Sequence, residues 1–231
     1  MPRYFALVPA AGLGARVGAD IPKQYLEIAG RAVLWHALRP LCEDPCIERT
    51  VVVLSPTDQW FERMDWSAFD GRLQVMRCGG DTRAASVLNG LRGMRGVAPE
   101  DWVLVHDAAR PCLTHALIAH LITQVGDDPT GGILAVPVSD TLKRADERTR
   151  IAATEPRAGL WGAQTPQMFR YAALTQALAS ADLGQITDEA SAMEAAGTRP
   201  LLVPGSTTNL KITYPQDLAI ARLLLEGESK A

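Results

Sequence analysis

Short, continuously apolar runs alternate with longer amphipathic ones along most of this chain, and that alternation leaves few folds open. Tyr4 to Val8, Thr50 to Leu54 (TVVVL), Leu73 to Arg77, Trp102 to His106 and Gly131 to Val138 read as buried strands. Between them, Ala32 to Cys42 carries Leu34, Leu38 and Leu41, with Pro40 placed to kink the helix near its end. Arg83 to Met94 carries Val87, Leu88, Leu91 and Met94, and Leu117 to Val125 aligns Leu117, Leu121 and Val125. Spacings of three and four residues put each set on one side of a helix. Strands that are apolar at every position have both faces buried, so the expected fold is α/β: a mostly parallel sheet covered by helices on each side, with right-handed crossovers.

Ser139 to Gly159 interrupts the pattern with Lys143, Arg144, Asp146, Glu147, Arg148 and Arg150. It reads as a β-hairpin arm projecting from the body, its turn near Asp146 to Thr149; a disordered surface insertion has the same composition. Alternation then resumes, with helices near Tyr171 to Ala181 and Asp188 to Ala196 and strands near Leu201 to Val203 and Asn209 to Ile212. A last helix is expected from Tyr214, with Thr213 as its cap and Gln216 completing a capping box.

The 231 residues suit one domain. A chain of that size buries about 70% of its unfolded surface and needs no disulfide or structural metal. Cys42, Cys46, Cys78 and Cys112 form no C-x-x-C pair and have no histidine at metal-ligand spacing. They read as reduced, mostly buried thiols of a cytoplasmic protein. The amino terminus lacks a cleavable apolar leader and no run of 18 apolar residues occurs, which argues against secretion and membrane spanning. Lys plus Arg is 23 and Asp plus Glu 26, a net charge of −3, which argues against a nucleic-acid partner. A small phosphorylated ligand needs only a local cluster of cations and stays open.

The place for such a cluster is the segment after the first strand, PAAGLGARVGADIPKQY, Pro9 to Tyr25. Loops at the carboxyl ends of parallel strands are ligand sites, and glycines let backbone N–H groups approach phosphate oxygens. Arg16 and Lys23 bring two positive charges to it. A dinucleotide fingerprint would need G-x-G-x-x-G, but Gly18 comes one position late after Gly12 and Gly14, and the chain has no G-K-[S/T] for a P-loop. A nucleotidyltransferase-type loop, G-x-G-x-R followed by P-K, remains, beside a merely structural glycine-rich turn.

On these residues the chain resembles the 2-C-methyl-D-erythritol 4-phosphate cytidylyltransferase family. PAAGLGARVG with PKQY (Pro22 to Tyr25), GGDTRAASV (Gly79 to Val87), VHDAARP (Val105 to Pro111), TDEASAME (Thr187 to Glu194) and NLKIT (Asn209 to Thr213) match its motifs in order and cover essentially the whole chain. The resemblance implies a Rossmann-like, three-layer fold of the nucleotide-diphospho-sugar transferase kind, one domain over 1–231 with 139–159 as a β-arm, and a homodimer built through that arm. It implies transfer of a cytidylyl group from CTP to 2-C-methyl-D-erythritol 4-phosphate with loss of pyrophosphate, assisted by Mg²⁺ held mainly by the triphosphate. Some relatives carry a fused cyclodiphosphate synthase domain; with the chain stopping at Ala231, that second activity is not expected.

Site residues carried over by the resemblance are these. Pro9, Ala10, Ala11, Gly12, Gly14 and Lys23 hold the nucleotide, with Arg16 and Lys23 stabilising the transition state. Gly80, Asp81 and Ser86 read the cytosine, and Ala108 approaches the ribose. Asp107 meets Mg²⁺ or a sugar-alcohol hydroxyl, Arg110 contacts substrate, and Arg157 and Lys211 position the acceptor phosphate. Thr141, Thr165 and Thr187 add hydroxyl contacts, with Thr141 and Arg157 reaching in from the partner's arm. For several of these a blander reading stands alongside: Asp107 as an exposed loop acid, Arg110 and Arg157 as solvated charges, Thr187 as a helix cap, and Asp81 within a helix cap. Asp188 and Glu189 read as first-turn charges favoured by the helix dipole. His106 reads as a packing residue, since a phosphate already ionised near neutral pH needs no general base. Competing functions are a cytidylyltransferase for another polyol phosphate, such as ribitol 5-phosphate, and a nucleotide-binding module without catalysis.

Overall fold

The computed structural model describes residues 2–12 and 21–228. The first apolar run forms β1 (Tyr4–Pro9), and two short strands, β2 (Glu27–Ile28) and β3 (Arg31–Ala32), lead into α1 (Val33–Glu43), which continues past Pro40. There follow β4 (Ile47–Val53), β5 (Leu73–Met76), α2 (Arg83–Gly93), β6 (Trp102–Val105) and α3 (His115–Val125). After β7 (Gly132–Pro137) comes a hairpin of β8 (Leu142–Ala145) and β9 (Ile151–Glu155). The rest runs β10 (Trp161–Arg170), α4 (Tyr171–Ser180), α5 (Glu189–Ala195), β11 (Leu201–Pro204) and α6 (Pro215–Glu228).

Among the described residues, seven strands form the main sheet in the order β11-β7-β10-β6-β1-β4-β5. β1 pairs parallel with β4 and β6, β4 with β5, and β7 with β11. Side chains alternate across β1: Ala6 and Val8 join Leu34, Leu38, Ile118 and Leu121 on the α1/α3 face. Phe5 and Leu7 join Val87, Leu91, Leu174 and Met193 on the α2/α4/α5 face. Each such leucine, removed fully from water, contributes roughly 2 kcal/mol. The three-layer α/β expectation therefore holds.

Three expectations change. β10 is not legible as a strand, yet it lies inside the sheet, antiparallel to both β6 and β7. Its register slips against β7 between Ala163 and Gln167, so the Gln164-Thr165-Pro166 stretch leaves that ladder where a proline's missing donor is tolerated. Asn209 to Ile212, expected as a strand, is a loop pinned beneath the β6 loop, with Ile212 N–H donating to the Ala109 carbonyl at 2.8 Å. The caps also differ. α6 starts at Pro215, and the Asp217 carboxylate accepts from the N–H groups of Thr213 and Tyr214, both at 2.7 Å, in place of a Thr213–Gln216 box. Asp188 with Ser191 caps α5, so Thr187 is not its cap, and Thr82 rather than Asp81 caps α2.

The polar break does fold as a hairpin. Asp146 Oδ1 accepts from the N–H groups of Arg148 and Arg150, and Thr149 takes the positive φ that closes the turn. Arg144 bridges to Glu155 across the strands at 2.6 Å. Cys42 and Cys112 are buried, whereas Cys46 is exposed and Cys78 partly so. No helix among the described residues is long and apolar enough to cross a membrane.

Candidate active site

A cleft of about 790 Å³ opens at the carboxyl ends of β1, β4 and β6. Pro9 to Gly12 enter it directly from β1, and Gln24 holds that loop by donating to the Ala10 and Gly12 carbonyls, each at 2.9 Å. Gly79 packs the second motif against the first: a Cβ there would collide with the Ala11 Cβ and stand 2.9 Å from the Leu54 carbonyl oxygen. Gly80, Asp81 and Thr82 then form a wall at the start of α2. Ser86 Oγ shapes that wall, accepting from Gly80 N–H at 3.1 Å and donating to the Thr82 carbonyl at 3.0 Å. Ala108 and Ala109 supply a small-residue floor after β6.

The opposite rim is cationic. Lys23 Nζ donates to the Ile212 carbonyl at 3.0 Å, so the first motif and the 209–213 loop meet, and Lys211 lies in the same cleft. Lys211 Nζ is 2.7 Å from Asp107 Oδ2. Arg83 Nε is 2.8 Å from Asp107 Oδ1, and its two terminal nitrogens grip the Glu189 carboxylate at 2.6 and 3.0 Å. Burial alone would raise the Asp107 pKa; the charges of Arg83 and Lys211 override it and hold the group well below the usual carboxylate range. Burial also opposes charge on Arg83, but Glu189 and Asp107 together keep it firmly protonated. Glu189 is wholly buried, which draws its pKa up while Arg83 pulls it down. Glu189 stands in the first turn of α5 as expected, and it is also the buried partner of Arg83.

The other site residues singled out in the sequence divide clearly. Pro9, Ala10, Ala11, Gly12, Lys23, Gly80, Asp81, Ser86, Asp107, Ala108 and Lys211 all line the cleft. Gly14 and Arg16 lie outside the described residues. Thr165 is buried behind the cleft, its Oγ1 accepting from Asp107 N–H at 3.0 Å and meeting His106 Nδ1 at 2.9 Å. Arg110 is not among the residues that line the cleft, although its Nε stands 3.9 Å from Asp107 Oδ2. It is buried and donates to the carbonyls of Asn209 at 2.6 Å and Ala163 at 3.3 Å, tying the 209–213 loop to β10. Thr187 is exposed and its N–H donates to Ser191 Oγ. Thr141 and Arg157 are exposed on the arm and do not line this chain's cleft. Sequence reasoning misses Gln24, Arg83 and Glu189, although each falls inside a motif; their spacing carries no sign of what they touch.

Asp107 is also a poor fit for the magnesium role. Both oxygens are taken by cations, Arg110 Nε stands 3.9 Å away as a third, and no group of three or more His, Cys, Asp or Glu side chains among the described residues could hold a metal. The donor set suits an anion instead.

A family model described as 2-C-methyl-D-erythritol 4-phosphate cytidylyltransferase matches residues 4–227. The chain is 58% identical over 228 residues to the protein of that name from Dechloromonas aromatica, covering 98% of this chain and 99% of that one. A crystal structure of 4-diphosphocytidyl-2C-methyl-D-erythritol synthase superposes with a TM-score of 0.86 at 46% identity, covering 97% of this chain and 99% of the other. The 2-C-methyl-D-erythritol 4-phosphate cytidylyltransferase from Thermus thermophilus superposes with a TM-score of 0.77 at 30% identity over 96% and 98% of the two chains. The chain therefore belongs to the 2-C-methyl-D-erythritol 4-phosphate cytidylyltransferase family.

Proposed function

We propose that this cleft joins the cytidylyl group of CTP to the phosphate of 2-C-methyl-D-erythritol 4-phosphate. An acceptor phosphate oxygen attacks the α-phosphorus, the bond from that phosphorus to the bridging oxygen breaks, and pyrophosphate leaves with the electron pair. The acceptor oxygen is already ionised near neutral pH, so no proton has to be removed. Catalysis is then positioning and charge stabilisation. The loop leaving β1 suits the triphosphate, Lys23 the charge that develops during transfer, and the wall of Gly80, Asp81 and Ser86 the cytosine. The outside 13–20 segment carries Arg16, the second cation of that loop in the sequence. Lys211 suits the acceptor phosphate. Asp107 keeps its Arg83 and Lys211 partners, so a magnesium ion accompanying the nucleotide would be held by nucleotide oxygens and would offset their charge.

One observation carries this reading: two lysines from opposite ends of the chain converge on one cleft, Lys23 through the Ile212 carbonyl and Lys211 one residue before it. A homodimer belongs to the same proposal, because Thr141 and Arg157 sit exposed on an arm away from this cleft and would complete a neighbour's. The test mixes the protein and MgCTP with methylerythritol phosphate or ribitol 5-phosphate and detects pyrophosphate. Faster release with the methylerythritol acceptor is expected. Faster release with ribitol phosphate overturns the acceptor, and CTP binding without release from either overturns catalysis.

A further inference from the structure

Arg83 is the first residue of α2, directly after its Thr82 cap. Its fork spans two carboxylates on different elements, Asp107 after β6 and Glu189 at the start of α5. Asp107 gives its second oxygen to Lys211. Glu189, Arg83, Asp107 and Lys211 thus form a continuous row of alternating charge that begins in the interior and ends on the cleft rim. Glu189 has a side chain only 1% exposed and Asp107 9%, whereas Lys211 is 43% exposed, so the row delivers its most exposed member to the place where substrate enters.

We propose that Arg83 is a positioning residue for the phosphate acceptor, acting through Asp107 on Lys211. This rests on the reading of Lys211 as the cation for the acceptor phosphate. A carboxylate with one oxygen left unpaired lets an ammonium on the other oxygen shift between the two. With Arg83 on Oδ1, Asp107 offers Lys211 only Oδ2, which fixes where the ammonium stands. Charge balance acts in the same direction. Arg83, Arg110 and Lys211 face two carboxylates, so the cluster keeps a surplus positive charge for an incoming phosphate. Without Arg83 the cluster is neutral. A lysine at this position cannot do the same work, because one ammonium cannot give a two-pronged grip to Glu189 and a third bond to Asp107.

The test is a double-mutant cycle. Arg83→Gln and Arg83→Lys are each made alone and in a Lys211→Gln background, with steady-state kinetics in both substrates, CTP affinity by calorimetry, and the thermal midpoint. Arg83→Gln should raise the acceptor KM about tenfold while CTP affinity stays within about threefold, and Arg83→Lys should recover only part of the loss. In the Lys211→Gln background the same change should cost less than about threefold, because the residue it acts through is gone. A full loss in that background, or a fall in CTP affinity equal to the fall for the acceptor, overturns the proposal. Should Arg83→Gln fail to fold, Arg83→Lys carries the same comparison. The unsubstituted enzyme separates the two readings: no pyrophosphate from it with the methylerythritol acceptor refutes the function, whereas normal release without Arg83–Lys211 coupling refutes only the row.

Discussion

His106 is fully buried under the cleft, with Thr165 Oγ1 2.9 Å from Nδ1 and the Arg110 carbonyl 3.1 Å from Nε2. A carbonyl only accepts, so Nε2 carries the proton and the threonine hydroxyl donates to Nδ1. The ring is neutral, and burial pushes its pKa down to about 4. Unfolded chain takes up a proton near pH 6.5, folded chain only near 4, so stability is complete above about 6.5 and falls as the pH drops through that window, by up to about 3 kcal/mol. Urea denaturation between pH 7 and 4 should show this fall, and His106→Gln should flatten it; an unchanged slope would exclude His106 as its source. The sequence reads this residue as packing rather than proton transfer, and the geometry agrees. Lys23 is legible for a different reason, since a lysine so soon after a glycine-rich loop is held near it by the chain. Lys23→Ala should lower kcat on the order of 100- to 1,000-fold and raise the KM for CTP far less; normal kcat in that variant would refute its role. What a motif does not disclose is a partner. Arg110 carries a charge suited to a phosphate, but its donors go to main-chain oxygens of two segments far off in sequence.

At the scale of elements, the cleft exists because loops are locked to one another. Gly79 is one of these locks. Gly79→Ala sets a methyl against Ala11 and a backbone oxygen that cannot move aside, so about 1–3 kcal/mol of stability should be lost. CTP affinity should fall with it, because the loop leaving β1 must shift, and calorimetry with thermal unfolding reads both. An alanine tolerated without change in either would show that the loops are not coupled there. Thr82→Ala removes the hydroxyl that accepts from Ala85 N–H at 3.0 Å and should cost about 1 kcal/mol in urea denaturation. The amphipathic helices and apolar strands are legible because burial on one or both faces leaves a period in the chain. β10 leaves none. Gln167 is 1% exposed, but its amide is satisfied inside, accepting from Ala190 N–H at 2.8 Å and donating to Asp188 at 2.9 Å. A buried strand built on polar side chains and a proline has the composition of a loop. Asn209 to Ile212 misleads in the opposite direction, with strand-like residues held by single bonds to Ala109, Thr165 and Arg110 instead of a ladder.

The whole molecule presents an arm with little of its own to pack against. Ile151 on β9 is 70% exposed, and Thr141 and Arg157 stand on the same projection. If arms are exchanged between two copies, protomers carrying Lys23→Ala and Arg157→Ala should each be nearly inactive alone. Mixed after dissociation, they should regain about a quarter of full activity, because each mixed dimer rebuilds one of its two sites. No recovery on mixing, or a monomer in sedimentation, would place Arg157 outside the site. Local sequence is enough to set the layered α/β plan and the strand ends where a ligand is met, because these follow from the period of burial and from turn-forming residues close together in the chain; it leaves the hairpin level with a disordered insertion of the same composition. Packing between distant elements is needed to run β10 antiparallel through the sheet, to turn Arg110 inward, and to let Arg83, while holding Asp107, reach Glu189 across 106 positions of sequence. A residue type states how much charge it carries; which opposite charge it meets depends on how distant elements come together, and no local pattern records that.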